Sequence, residues 1–393
     1  MYTVILVYHF KVSTIIMKTQ FLSSFVALFI FGVIHLNAQC DHQHHGHICT
    51  KAYAATDPSA PLTPYEFERR SLNDDDILIE ILYSGICHSD IHTVKGDWGQ
   101  VAYPLVPGHE IVGKVVKAGK NVAKFKVGDY AGVGCMVNSC GECYYCKAGE
   151  EQYCTKGATY TYSSKEGDGY TQGGYSNNIV VRESFAITIP KGAPLEKIAP
   201  LLCAGITTYS PLKYNKVKAG DKVAVAGFGG LGHMAVQYAV KMGAEVTVFD
   251  ITEDKREAAA KLGAVRYVNT KNADESKGLE GTFDLILSTI PVSFSVESYL
   301  SMLKVDGTMV LIGVPAIKDM PSVQTWALQG RKKIYGTLIG GIRETQEMMD
   351  YSVANNIYPM VEIIPIQQVN EAYKNVLTGK VQFRYVIDIS SLR

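Results

Sequence analysis

Four cysteines stand close together as Cys140-x2-Cys143-x2-Cys146-x7-Cys154. Thiolates so near in sequence can wrap one tetrahedral zinc ion at about 2.3 Å per bond. With sulfur in all four positions, no place is left open for substrate. The expected role is therefore structural: the ion pins a Gly-rich lobe, residues 135–157, that has little core of its own. Two disulfides are the competing reading, and the x2 spacing makes their geometry awkward. A second pattern is Gly227-Phe228-Gly229-Gly230-Leu231-Gly232, which fits G-x-G-x-x-G. Such glycines let backbone N–H groups approach a pyrophosphate, which also sits on the positive end of the helix that follows. Asp250 comes about 20 residues further on, where a carboxylate bonds the adenosine ribose and repels a 2′-phosphate. That chemistry favours NAD(H). Thr252, Lys255 and Arg256 follow closely and would suit a phosphate instead, so NADP(H) stays open.

These residues need elements to hold them. From about residue 52 to 190, short alternating runs are separated by Gly and Pro, as in Asp76–Leu82 and Glu110–Val116. They read as strands of a β-rich, partly barrel-like domain. From about 191 to 340 the texture becomes strand–helix alternation. Strands are expected at Lys222–Ala226, Glu245–Phe249, Asp284–Ser288 and Thr308–Ile312, and helices at Gly232–Met242 and Asp254–Leu262. Repeated βα units make a doubly wound parallel sheet, so the fold class is α/β with a separate β-rich domain. The glycine motif follows a strand and opens a helix, which is the context it requires. Residues 341–393 return to mixed structure and end in the alternating run Phe383–Asp388.

Three further candidates are scattered along the chain. Cys87 lies in Gly85-Ile86-Cys87-His88-Ser89-Asp90-Ile91-His92, His109 in Pro107-Gly108-His109-Glu110, and Cys203 in Leu202-Cys203-Ala204-Gly205-Ile206-Thr207. One imidazole and two thiolates make a catalytic zinc set with a fourth position open. Taken alone, each is equally a buried cysteine or a turn residue. Together, and in this order, these runs resemble the zinc-dependent medium-chain alcohol dehydrogenases, in particular the cinnamyl alcohol dehydrogenase-like branch with its broad-range bacterial aldehyde reductases. The resemblance covers about residues 52 to 390. It implies a GroES-like catalytic domain (52–190 and 341–393) around a Rossmann cofactor domain (191–340).

The resemblance also implies roles. Cys87, His109 and Cys203 would bind catalytic zinc, with Glu110 an alternate or nearby ligand, giving two zinc ions per chain. Asp90 would orient His109. Ser89 would take the alcohol proton and pass it through the cofactor ribose to His92. His88 and Thr207 would lie against the cofactor, beside the glycine cradle. Trp98 would form an apolar wall suited to aromatic or medium-length aldehydes, with simple packing the blander reading. A homodimer joined along the cofactor domains is implied as well. The branch prefers NADPH and has small hydroxyl residues where this chain has Asp250-Ile251-Thr252, so branch and residue chemistry disagree. A polyol or formaldehyde dehydrogenase of the same superfamily is the rival enzyme. A catalytically inactive envelope metal-binding protein is the rival of another class.

Composition fits an enzyme of this size. The 393 residues carry 38 Lys+Arg against 38 Asp+Glu, a net charge of zero, which excludes the basic excess of a nucleic-acid binder. With 47% hydrophobic and 19% charged residues, the chain has the balance of a folded protein. Residues 1–38 read as a secretory signal: Lys18, an apolar stretch from Phe21 to Ile34, and Ala38 before the cleavage point. The stretch is shorter than a membrane span, so no permanent anchor is expected. Met17 is the expected functional start. If the signal is not used, the protein stays cytoplasmic. Between Cys40 and Cys49 stand His42, His44, His45 and His47, a linker (39–51) read as a solvated tail that chelates metal weakly. In an exported chain, Cys40 and Cys49 suit a disulfide. Export would place the enzyme where NAD(P)H is not normally regenerated.

Overall fold

The computed structural model describes residues 47–392. The expected signal, and the His-rich tract through Gly46, lie outside the described residues. Cys49 is disulfide-bonded, and the other described cysteines are free thiols. No helix among the described residues is long and apolar enough to cross a membrane.

The β-rich domain is organised around the strand Asp76–Gly85, which is buried along most of its length. It pairs antiparallel with Ile111–Ala118, with Asn178–Arg182 and with Arg384–Asp388. The sheet runs Ile187–Thr188, Tyr130–Val133, Ile111–Ala118, Asp76–Gly85, Arg384–Asp388, Val361–Pro365. Early and late parts of the chain therefore share one sheet. The chain joins this body sooner than a linker over 39–51 implies. Ile48–Ala54 is a strand paired with Thr63–Arg69. Its alternation explains why: Thr50, Ala52 and Ala54 turn inward.

The α/β domain is built on a six-stranded parallel sheet in the order Arg266–Asn269, Glu245–Asp250, Lys222–Ala226, Phe283–Ser288, Leu303–Leu311, Lys333–Gly336. Strand order reverses between the third and fourth strands, where α/β sheets open a ligand crevice. Alternate residues pack opposite faces. Val223, Val225, Val246, Val248, Leu285 and Leu287 join the main core. Ala224, Phe249, Ile286 and Met309 join a second cluster with Val296 and Leu300 of the helix Val296–Met302. Both faces are covered, which is why these strands read as continuous apolar runs. One helix is shorter than its pattern: it spans Arg256–Lys261, because Asp254 and Lys255 form the turn before it. That turn lets the Arg256 Nη2 reach back to Glu253 Oε2 at 2.9 Å.

The cysteine lobe carries the short pair Met136–Asn138 and Thr159–Tyr160 and the one-turn helix Tyr144–Ala148. It leans on the start of the helix Ile342–Ala354. There Ile342 N–H donates to Glu151 Oε2 at 2.9 Å, and Arg343 donates to the Ala148 carbonyl. A side chain at Gly341 would drive its Cβ to 1.8 Å from the Gly149 carbonyl oxygen.

Candidate active site

The end of the central strand hands the chain to the helix His88–Lys95, with Cys87 as its N-cap. His109 and Glu110 directly precede the neighbouring strand Ile111–Ala118, and Gly85 N–H donates to the Glu110 carbonyl at 2.9 Å. Cys203 caps the helix Ala204–Tyr214. These elements bring Cys87, His109, Glu110 and Cys203 together, all buried, with ligand atoms within 4.8 Å of one another. Two thiols, an imidazole and a carboxylate are a donor set that suits zinc.

Asp90 is the hub behind the cluster. Fully buried, it accepts from Cys87 N–H at 2.9 Å, Gly108 N–H at 3.0 Å and Tyr175 OH at 3.1 Å, and its Oδ1 lies 2.9 Å from His109 Nδ1. That contact leaves His109 Nε2 free for a metal. A hydrogen bond with Cys203, joined by His109 and Arg384, holds the Cys87 thiol well below its usual range against the cost of burial. Burial pushes the Glu110 carboxyl up to about 7, although Arg384 pulls it down. Glu110 and Arg384 form an ion pair that is almost fully buried.

The four cysteines of the lobe form a second cluster of the same tightness. The Sγ atoms of Cys143 and Cys146 lie 3.5 Å apart and those of Cys140 and Cys146 3.8 Å apart. All four are free thiols, so the disulfide reading is set aside. The backbone N–H of Cys146, with that of Thr155, holds the Cys143 thiol down at about 5, which readies it as a thiolate ligand.

The glycine cradle has the shape a dinucleotide needs. Gly227 has φ +89°, and a Cβ on Gly232 would sit 1.9 Å from the Gly227 carbonyl oxygen. Where a Cβ would project from Gly229 there is open space. Leu231 is the N-cap of the helix Gly232–Lys241. A Cβ on Gly230 would meet Arg384 Cδ at 2.6 Å, so Arg384 touches both the cradle and, through Glu110, the metal cluster. Asp250 is fixed at the cradle's lip. Its Oδ2 accepts from Phe228 N–H at 2.7 Å, and its Oδ1 accepts from Ile251 N–H at 2.7 Å and from the backbone and hydroxyl of Thr252 at 3.2 Å. Arg256 is neutralised by Glu253 and Glu275. Lys255 has no ion pair among the described residues.

Other expected residues fall along the same cleft. His92 Nδ1 lies 2.8 Å from Asp97 Oδ2. His92 and His88 have ring centroids 6.1 Å apart. Ser89 Oγ is 3.6 Å from Cys87 Sγ, and no direct Ser89–His92 bond is present among the described residues. Trp98 stacks on the His92 ring at 5.0 Å and donates its indole N–H to the Pro315 carbonyl at 3.1 Å. It is half-buried between the two domains and not a core residue. His92 Nε2, Thr207 Oγ1, Glu110 Oε1 and Arg384 Nε are buried with no partner among the described residues. Orphaned polar atoms in a dry site carry a cost that a polar ligand relieves. Together with the open cradle, they fit a dinucleotide.

Residues 73–191 match the alcohol dehydrogenase GroES-like domain, and residues 230–354 match the zinc-binding dehydrogenase domain. The chain is 49% identical over 344 residues to the probable formaldehyde dehydrogenase AdhA of Bacillus subtilis, covering 87% of this chain and 98% of that one. The chain belongs to the zinc-binding medium-chain alcohol dehydrogenases. The aldehyde reductase YahK of Escherichia coli is 46% identical, with 87% and 99% covered. Among solved structures, the cinnamyl alcohol dehydrogenase (CAD) of Helicobacter pylori complexed with NADP(H) is 46% identical, with a TM-score of 0.84 and coverage of 88% and 99%.

Several residues of this alcohol dehydrogenase site escape a reading of motifs. Asp97 sits beside Trp98 in a turn and carries no spacing signal. Tyr175 reaches Asp90 from a distant loop. His233 lies inside the cradle helix, with Nδ1 3.0 Å from the Gly229 carbonyl oxygen while its Nε2 accepts from Met360 N–H at 3.3 Å. Cys135 hydrogen-bonds Cys203, raising its thiol. Arg384 alone left a trace: a cation within the alternating, otherwise apolar run Phe383–Ile387.

Proposed function

We propose that this alcohol dehydrogenase interconverts primary alcohols and aldehydes of aromatic or medium length, and that its nucleotide is NAD(H). The observation that carries the nucleotide is Asp250, a buried carboxylate fixed at the cradle lip, with Glu253 and Glu275 cancelling the nearest guanidinium. A 2′-phosphate there would face like charge, which costs several kcal/mol. Cys87, His109 and Cys203 would hold a catalytic zinc ion, with Glu110 in reach, and Cys140, Cys143, Cys146 and Cys154 a structural one. The catalytic ion supplies Lewis acidity at the substrate oxygen.

The chain's own residues do the rest. Asp90 orients His109. Ser89 would accept the alcohol proton, and His92, whose Nε2 is buried with no partner among the described residues, would receive it. Asp97 faces the far nitrogen and stabilises the charge as it arrives. His88, Thr207 and Gly227–Gly232 bind the nucleotide. Trp98 walls the substrate side. We propose further that the protein works as a homodimer, checked by its mass in solution, and that residues 1–38 direct export, checked by sequencing the mature N-terminus.

The test is zinc content and turnover in one preparation. Two zinc ions per chain are expected, with benzaldehyde and cinnamaldehyde reduced more efficiently by NADH than by NADPH. A preference for NADPH would sink the reading of Asp250. The Bacillus relative is named for formaldehyde, so formaldehyde belongs in the panel. If it is the best substrate, the aromatic assignment fails. One zinc ion and no turnover would favour a metal-binding protein.

A further inference from the structure

The turn that ends the helix His88–Lys95 is clasped from the other side of the cleft. Trp98 donates its indole N–H to the Pro315 carbonyl at 3.1 Å. Ile317 N–H donates to the Asp97 carbonyl at 3.3 Å. Asp97 and Trp98 belong to the catalytic domain. Pro315 and Ile317 belong to the loop after the strand Leu303–Leu311, at the carboxyl edge of the parallel sheet where the nucleotide crevice opens. The two bonds run in opposite directions between the same two short segments. The clasped turn is also the one that fixes His92, through the Asp97 carboxylate at 2.8 Å and the Trp98 ring at 5.0 Å.

We propose that Trp98 and the Ile317 backbone form a cross-cleft clasp that retains the nucleotide, so that Trp98 is more than a pocket wall. A nucleotide seated between the cradle and the His88–Lys95 helix cannot leave without the two domains parting at this edge, and parting breaks both bonds. The clasp then sets residence time. The proposal rests on the nucleotide site described above.

Two substitutions separate the clasp from the pocket wall. Trp98→Phe keeps an aromatic ring against His92 and removes the N–H together with part of the indole, so it is paired with a variant that leaves the ring untouched. Ile317→Pro removes the other donor from the far side. It suits the fold: Ile317 is 61% exposed, it opens a short 3-10 turn, and Ala316 before it has ψ 149°. Release of bound reduced nucleotide is followed by stopped-flow fluorescence in the full-length protein, using whichever nucleotide the wild type binds. The KM for benzaldehyde is measured beside it. Losing one hydrogen bond is expected to speed release by about three- to tenfold in each variant, with the Ile317→Pro aldehyde KM within about twofold of wild type. If Trp98→Phe shifts only the aldehyde KM and neither variant changes release, Trp98 is a wall alone and the clasp is refuted. Unchanged release together with unchanged KM refutes it too. A wild type that binds neither nucleotide refutes the functional reading instead, so the two failures are distinct. Melting temperature within a few degrees of wild type shows that each variant is folded.

Discussion

Asp250 places a negative charge against the backbone of the cradle, and one substitution can read its worth. Asp250→Ser should raise the NADPH to NADH ratio of kcat/KM by about tenfold or more, because a like-charge penalty of several kcal/mol is removed. Unchanged selectivity would locate the choice elsewhere. His233 gives a second residue-scale expectation. Burial pushes its imidazole down to about 3 from an ordinary 6.5, so in the fold it is neutral. Below pH 6.5 the unfolded chain takes up a proton that the folded chain refuses. Stability is then lost as pH falls, by up to about 1.4 kcal/mol per unit until the folded value is reached. Urea midpoints at pH 7 and pH 5 should differ less in His233→Asn than in wild type.

The cysteine lobe and the glycine cradle were legible because all their chemistry sits in one loop or one strand–helix turn. The cluster of Cys87, His109 and Cys203 was not, on residues alone. Cys87, His109 and Cys203 come from a helix cap, a strand entry and a second helix cap, and only the resemblance joined them. The start of the sheet at Ile48 was hidden by its His-rich neighbour, although its own alternation points inward at Thr50, Ala52 and Ala54. The late start at Arg256 was hidden because Glu253-Asp254-Lys255 is as fit for a helix as for the turn it makes. What the lobe lacks in core it draws from the helix Ile342–Ala354, through Glu151 and Ala148. Arg343→Ala should therefore lower the melting temperature by about 2–4 °C, which calorimetry would show.

Across the whole molecule, the Glu110–Arg384 pair ties the metal cluster, the cradle and the last strand of the catalytic sheet. Removing one partner of a buried ion pair costs about 3–5 kcal/mol, since the other charge is left alone. Arg384→Met should show that loss in denaturant unfolding, and adding Glu110→Gln should return part of it. A fully additive double variant would mean that the pair is not coupled. Arg384 also lies 274 residues after Glu110, and Glu151 waits 191 residues for Ile342. On a ribosome, which emits the chain from one end and lets domains fold as they emerge, this spacing becomes an interval of time. The parallel sheet can close while the catalytic sheet still lacks its final strand. Through that interval Cys87, His109 and the four lobe cysteines are already made and still unsheltered. The newborn chain thus carries these thiols and imidazole through that interval without the strand that completes their surroundings.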